Sequence, residues 1–416
     1  MRPEDAPETE PTGVRHPWGL TRYVLAAALA RSADAGGVVA VVLIVIGSGG
    51  PGWLGGLLGA CITAPHLLGP FIARPLDTAA DGRRVIALAA LVHGATLAAA
   101  VLLYPHTPAI VPGLLLIASG VVGPFLTGGI SSRLPSIAGP CKHRQRRAQG
   151  WDVATYGLSG TLGPSIVAVI SVGSSPTAAA LVLAAGTFLA AGLVLILPSA
   201  PPAASSEVPR PLRTLRLMLG NGQLRRTLYL TIIVALAVAV LPITAVSSTA
   251  HLTTAATAAG FLTAAYGLGN LAGAAGVMIR PARGEADHLM TRLALTVAAA
   301  LIAALLAPNL WVAAACYTAC GIANAYFFAA TLAARTEYSP AQAHGQIFVW
   351  VGALKITAGA AGTALAGTAI NGWHHMPLLL AAGITVVGAL ASQLDRRAST
   401  GRTTHARMAE QPQPRR

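Results

Sequence analysis

The sequence predicts an all-α integral membrane protein. Twelve transmembrane helices form two pseudo-symmetric six-helix bundles, with both termini in the cytoplasm. Three observations carry this expectation. First, 54% of the residues are hydrophobic and 10% charged, against ~25% charged in soluble domains. Second, twelve apolar runs are each long enough to cross a bilayer, which takes ~20 helical residues. Third, the positive charges alternate between successive connections, as cytoplasmic retention of Lys and Arg requires.

The spans are read in order as Tyr23–Ile46, Trp53–Ile72, Val85–Tyr104, Ala109–Ile130, Trp151–Val172 and Thr177–Leu197, then Leu228–Ser248, Ala258–Ile279, Leu289–Ala307, Leu310–Ala334, Gln346–Ile370 and Pro377–Leu394. Lipid leaves no partner for an open strand edge, so such runs must be helices. Lys and Arg number three before the first span. They number three, five and five after spans two, four and six, three around the connection after span eight, one after span ten, and six in the tail. The connections after the odd-numbered spans hold no charged residue.

This gives a disordered cytoplasmic N-terminus (1–22), an N-terminal bundle (23–197), a cytoplasmic linker (198–227), a C-terminal bundle (228–394) and a disordered basic tail (395–416). Leu212 to Leu224 reads as an amphipathic helix lying on the membrane. The acidic, proline-rich start lacks the features of a secretory signal.

Net charge is +14. Spread over seven segments without aromatic platforms, it reads as topology and lipid contact, not nucleic-acid binding. Cys61, Cys316 and Cys320 lie in apolar runs and Cys141 in a basic loop, with no metal-ligand spacing. No metalloprotease motif, catalytic triad or phosphate loop is present. The chain is thus expected to be no enzyme and to need no cofactor or metal.

Two signals suggest that the halves repeat. "RLPSIAGPCKHRQRRAQGW" before span five parallels "RTEYSPAQAHGQIFVW" before span eleven. Glycines also stripe every third span: Gly52, Gly55, Gly56 and Gly59; Gly157, Gly160 and Gly163; Gly269, Gly273 and Gly276; Gly359, Gly362 and Gly367. Such stripes permit close helix packing, either static or as a surface on which the halves rock.

Over about Leu20 to Leu394 the chain resembles the major facilitator superfamily. "GPFIARPLDTAADGRR" is similar to that family's signature between spans two and three, through Gly69, Asp77, Asp81, Gly82, Arg83 and Arg84. Either aspartate fits the acidic position. The resemblance implies a cytoplasmic charge lock there. Gly160, Gly163 and Pro164 in "YGLSGTLGPS" resemble the glycine–proline motif of the family's antiporters, which favours export. The segments "RYVLAAALARSAD" and "RLPSIAGP" are similar to a bacterial branch of drug or metabolite exporters.

Three charges sit deep inside spans. Arg31 and Asp34 are ~13 Å and ~18 Å along the first helix, three residues apart and on one face, and Lys355 is ~14 Å into the eleventh. A mid-bilayer charge must face the protein or water, and in this family the first helix lines the cavity. Either Asp34 pairs with Arg31 or Lys355, or it exchanges protons while a cation attracts an anionic group. Asp152, at the start of the fifth span, reads as solvated or as a second anion. Weaker cavity candidates are His66, Thr127, Tyr156, Thr244, Tyr266, Asn270, Tyr317 and Asn324; His93 reads as structural.

The expected function is secondary active transport: proton-coupled efflux of a small amphiphilic compound by alternating access. The alternative is a facilitator or importer of an organic anion. The expected setting is a monomer in the bacterial inner membrane. Its partners are a small-molecule substrate, the lipid bilayer and protons.

Overall fold

Twelve helices of the computed structural model are long and apolar enough to cross a membrane. They are α1 (Gly19–Gly47), α2 (Gly52–Ile72), α3 (Gly82–Leu103), α4 (Ile110–Ala138), α5 (Lys142–Gly173), α6 (Pro176–Leu195), α7 (Gly222–Thr249), α8 (Ala258–Ile279), α9 (Ala286–Leu305), α10 (Leu310–Tyr338), α11 (Ala341–Thr368) and α12 (Met376–Ala398). Each matches one expected span. The structure describes residues 18–199, 207–252, 254, 258–369 and 375–409. Among them there is no strand. With an even number of such helices among the described residues, α1 begins and α12 ends on the face that carries the basic connections, here called the basic end.

Local chemistry explains where the helices start and deform. Asp81, Ser175, Asn221 and Asn309 cap α3, α6, α7 and α10 by accepting backbone N–H groups with their side chains. In α2, Pro65 and Pro70 coincide with a tightened 3-10 stretch, Ala64–Ile72. In α4, Pro124 is followed by a π turn, Phe125–Gly129; proline's missing N–H disrupts the regular ladder. Pro242 has the same effect in α7, which breaks between Val238 and Leu241. At this break the Ala239 carbonyl accepts from Thr363 Oγ1 of α11 at 3.2 Å.

Each half has its own apolar core. One gathers Leu58, Ile62, Leu97 and Leu116, the other Leu230, Leu262, Leu301 and Phe327. A smaller cluster, including Val153, Val277, Phe328 and Phe348, joins the halves. The joining contacts run from the basic end inwards: α5 meets α8 at Gly150–Met278 and Gly157–Leu271, and α2 meets α11 at Phe71–Trp350. Beyond that level, Gly160 and Gly359 face open space. The cavity between the halves is therefore closed at the basic end.

Several expectations need correction. The surface helix is Pro211–Gly220, and its Thr214 and Met218 pack on the protein, not on lipid: Met218 lies against Ile347 and Trp350 of α11. The final helix continues to Ala409, so 395–409 is helical. Its first charged turn is held by Asp395 on Arg225 and Arg226, and by Arg396 on Asp287. Gly19 to Arg22 likewise belong to α1. Residues 1–17 and 410–416, and with them most of the expected disordered ends, lie outside the described residues. Most striped glycines are internal packing points: Gly55 and Gly59 face α1, Gly269, Gly273 and Gly276 face α10, and Gly362 faces α7. Gly157 alone among the striped glycines is seen to meet the other half.

Candidate functional site: a cation-lined central cavity

Arg31 is 3% exposed and is paired with Asp152 of α5, not with Asp34. Its Nη1 donates to Asp152 Oδ1 at 2.7 Å and to Thr155 Oγ1. Its Nη2 donates to Ser131 Oγ at 3.0 Å and to the Thr127 carbonyl at 3.1 Å. That carbonyl sits in the π turn of α4. Asp152 is fully buried and also accepts from Tyr23 and Ser131. It is not solvated: α5 starts at Lys142, well before the expected Trp151, which carries Asp152 three turns into the helix. The guanidinium of Arg31 stacks 3.7 Å from the Tyr156 ring centroid.

Asp34 instead faces His66 of α2, with Oδ2 3.4 Å from Nε2. The tightened turn of α2 lets His66 Nδ1 donate to the Ile62 carbonyl at 3.0 Å. A carbonyl only accepts, so Nδ1 carries a hydrogen. In the neutral ring Nε2 is then a bare lone pair facing a carboxylate oxygen. A proton between the two would make the contact attractive; as it stands, Nε2 makes no hydrogen bond. Room for the ring depends on Gly123, where a Cβ would stand 2.4 Å from Nε2. His93 is buried nearby and shares a 2.8 Å hydrogen bond with Ser119 Oγ.

Lys355 stands 3.4 Å from the Phe328 ring centroid and 4.7 Å from that of Tyr156. Among the described residues no carboxylate reaches it. Arg335 is fully buried; its Nη2 donates to Thr331 Oγ1 at 3.1 Å, and its Nε and Nη1 have no partner. Read from the sequence as a topological charge, Arg335 is a cavity residue, because α10 runs on to Tyr338. Arg31, Asp34, Thr127, Tyr156, Gly160, Arg335 and Lys355 line one chamber of about 180 Å³. A second, of about 270 Å³, is lined by Tyr266, Asn270 and Asn324 and shares Tyr156, Phe328, Lys355 and Ile356 with the first.

Other candidates lie elsewhere. Thr244 and Tyr317 bond to each other at 3.2 Å inside the C-terminal core and line neither chamber. Gly163 packs against Ser32 and Gly36 of α1, and α5 continues unbroken through Pro164. Gly69 packs against Pro124.

Of the two signature aspartates, Asp77 reaches across to the other half. Its Oδ1 accepts from the Gly345 N–H at 2.7 Å and its Oδ2 from the Gln346 N–H at 2.9 Å, at the start of α11. Burial raises the Asp77 carboxyl above its ordinary range, opposed by those two bonds and by Arg133. Asp81 serves its own segment: hydrogen bonds from Arg83 hold its carboxyl below the usual range. Arg83 also reaches the Leu197 carbonyl, Gly82 packs against Leu76 and Arg133, and Arg84 is exposed. A second cross-half tie joins Arg146 of α5 to Glu337 at 2.8 Å and to the carbonyls of Ala282 and Gly284. Asp77→Ala would leave the Gly345 and Gln346 N–H groups unpaired in the closed arrangement, which costs about 1–3 kcal/mol per buried group. The expected result is at least a roughly tenfold shift toward an open basic end, read as distances between spin labels on the two halves. Unchanged distances would remove Asp77 from the latch.

No family model matches the chain, and no curated protein matches it by sequence. Its structure is similar to that of the human organic anion transporter MFSD10, with TM-score 0.67 and 15% identity over 91% of this chain and 100% of that one. It is also similar to the proton:xylose symporter XylE, with TM-score 0.65 and 12% identity over 90% and 94% of the two chains. The Escherichia coli fucose:proton symporter FucP gives TM-score 0.66 and 14% identity over 89% and 98%. Twelve spans, a central cavity between two helical cores and these likenesses together show that the chain has the fold of the major facilitator superfamily.

Proposed function

We propose that the protein is a secondary active transporter that works by alternating access and couples the export of a small amphiphilic compound to protons. The observation that carries this reading is the Asp34–His66 contact beside the cavity, which a proton between the two groups would make attractive. A proton site bordering a mid-membrane cavity is what coupling needs. Similar folds include two named as proton symporters, which supports coupling but not its direction. Export rests on the resemblance of Gly160, Gly163 and Pro164 to the antiporter motif.

In this reading the membrane is a bacterial inner membrane and the basic end faces the cytoplasm, in keeping with the positive-inside rule. On that reading the two helical bundles (23–197 and 228–394) move as units and the described state faces outward. The chain acts as a monomer in this reading. A second reading, facilitated transport or import of an organic anion, is favoured by Lys355, which no carboxylate reaches among the described residues.

The test is efflux of amphiphilic dyes and antibiotics from cells, with and without a protonophore. Efflux is expected to stop with the protonophore. Asp34→Asn is expected to reduce it to background at normal membrane levels. Transport that survives both treatments would leave Asp34 and His66 as a structural pair.

A further inference from the structure

We infer that the cavity is a two-point site for a small organic anion, whose acidic group lies between Arg335 and Lys355 and whose uncharged hydrogen-bonding body fills the chamber of Tyr266, Asn270 and Asn324. This names the substrate class of the transporter proposed above and rests on that reading.

The argument begins with charge. Four cationic groups border or adjoin the first chamber: Arg31, His66, Arg335 and Lys355. Two are already matched. Arg31 is ion-paired with Asp152 and also donates to Ser131 and the Thr127 carbonyl, which leaves its Nε alone without a partner. His66 faces the Asp34 carboxylate, with Nε2 3.4 Å from Oδ2. Arg335 and Lys355 remain. Both line the chamber, and neither meets a carboxylate among the described residues. Apart from the Thr331 hydroxyl on Arg335, what faces them is the rings of Phe328, Phe348 and Tyr156. Ring faces attract a cation only weakly, far less than an ion loses on leaving water. A fully buried guanidinium with unpartnered Nε and Nη1 is completed by an anion.

The second chamber supplies the other point. Lys355 is its one charged lining residue, and the polar groups opposite are amides and hydroxyls. Asn324 Nδ2 donates to Asn270 Oδ1 at 3.3 Å, a long bond that a ligand hydroxyl or carbonyl can exchange for its own. Phe327 and Phe328 wall the same space, which suits a flat apolar body between the two polar ends. Lys355 reaches into both chambers, so ligand occupancy of either bears on it.

The experiment is equilibrium binding to the purified full-length protein in detergent, read by intrinsic fluorescence and thermal shift. The probes are para-hydroxybenzoate, para-hydroxyphenylacetate and para-hydroxycinnamate, each beside its methyl ester and the matching amine. At least one acid is expected to bind in preference to its ester and amine. Lys355→Gln and Arg335→Gln are each expected to weaken that acid about tenfold or more, and Arg335→Lys to restore part of the loss. Removing the para hydroxyl is expected to weaken binding to the intact protein but not to Asn324→Ala. The inference is overturned if no acid binds at millimolar concentration, or if esters or amines bind as tightly. It is equally overturned if both glutamine variants bind like the intact protein. Should those variants fail to elute as folded protein, the acid–ester–amine comparison on the intact chain still decides. Binding in detergent needs neither flux nor a proton gradient, so its failure and a failure of transport are told apart.

Discussion

Asp152→Ala is expected to destabilise the N-terminal half by about 3–5 kcal/mol, the range for removing one partner of a buried ion pair. Arg31 would keep its charge in a site where it is 3% exposed, with the carbonyls of residues 127 and 152 and neutral hydroxyls as its remaining partners. Tyr23 and Ser131 would lose their acceptor as well. The large value comes from the orphaned charge rather than from any great worth of the intact pair. The double variant Arg31→Met/Asp152→Leu should therefore be more stable than Asp152→Ala alone. Thermal unfolding of the purified protein checks this ordering. A double variant as unstable as the two single changes summed would mean that the pair acts by packing, not by charge.

Gly128→Val is expected to reduce transport to background while leaving both halves folded. A Cβ at Gly128 would fall 2.3 Å from the Phe348 carbonyl oxygen and 2.7 Å from its carbon, across the line between the halves. These are backbone atoms inside α11, and no rotamer change relieves the clash. On the alternating-access reading the halves part at this end and the clash is relieved, so the variant should be held with its basic end apart. Spin labels at Arg84→Cys and Arg280→Cys, both exposed positions, in a background without native cysteines, should report longer distances than in the parent. Parent-like distances with full flux would show that the halves do not approach here during the cycle.

The span pattern was legible because the bilayer acts on composition: apolar length and the alternation of Lys and Arg do not depend on tertiary detail. Arg31, Asp34 and Lys355 stand out for the same reason, as charges inside apolar runs. Their partners do not. Asp152 follows the basic run "KHRQRRAQGW" and looks like part of a loop, yet α5 has already made nearly three turns by then. Arg335 precedes "TEYSP" and resembles a stop signal, while the helix runs on to Tyr338. In both cases a polar helix end hides a buried residue, and Pro340 is the better marker of where α10 stops. The Asp34–His66 contact depends on a 3-10 turn whose effect on ring direction has no signature in residue spacing. Thr244 and Tyr317 have the residue types of cavity groups, but they satisfy each other within the C-terminal half.

The Asp77 latch has an uneven dependence on its two sides. One partner is a side chain, and the other is a pair of main-chain N–H groups at Gly345 and Gln346. Every non-proline residue brings the same N–H, so most substitutions at position 346 leave the donor in place. On the facing side a single codon holds both acceptors. Random mutagenesis that selects for a loosened gate should therefore yield hits at Asp77 far more readily than at position 346. Pseudo-revertants should arise by proline or by changes in helix geometry rather than by swapping charges. Covariation between these two positions should be correspondingly weak, although the contact between them is direct.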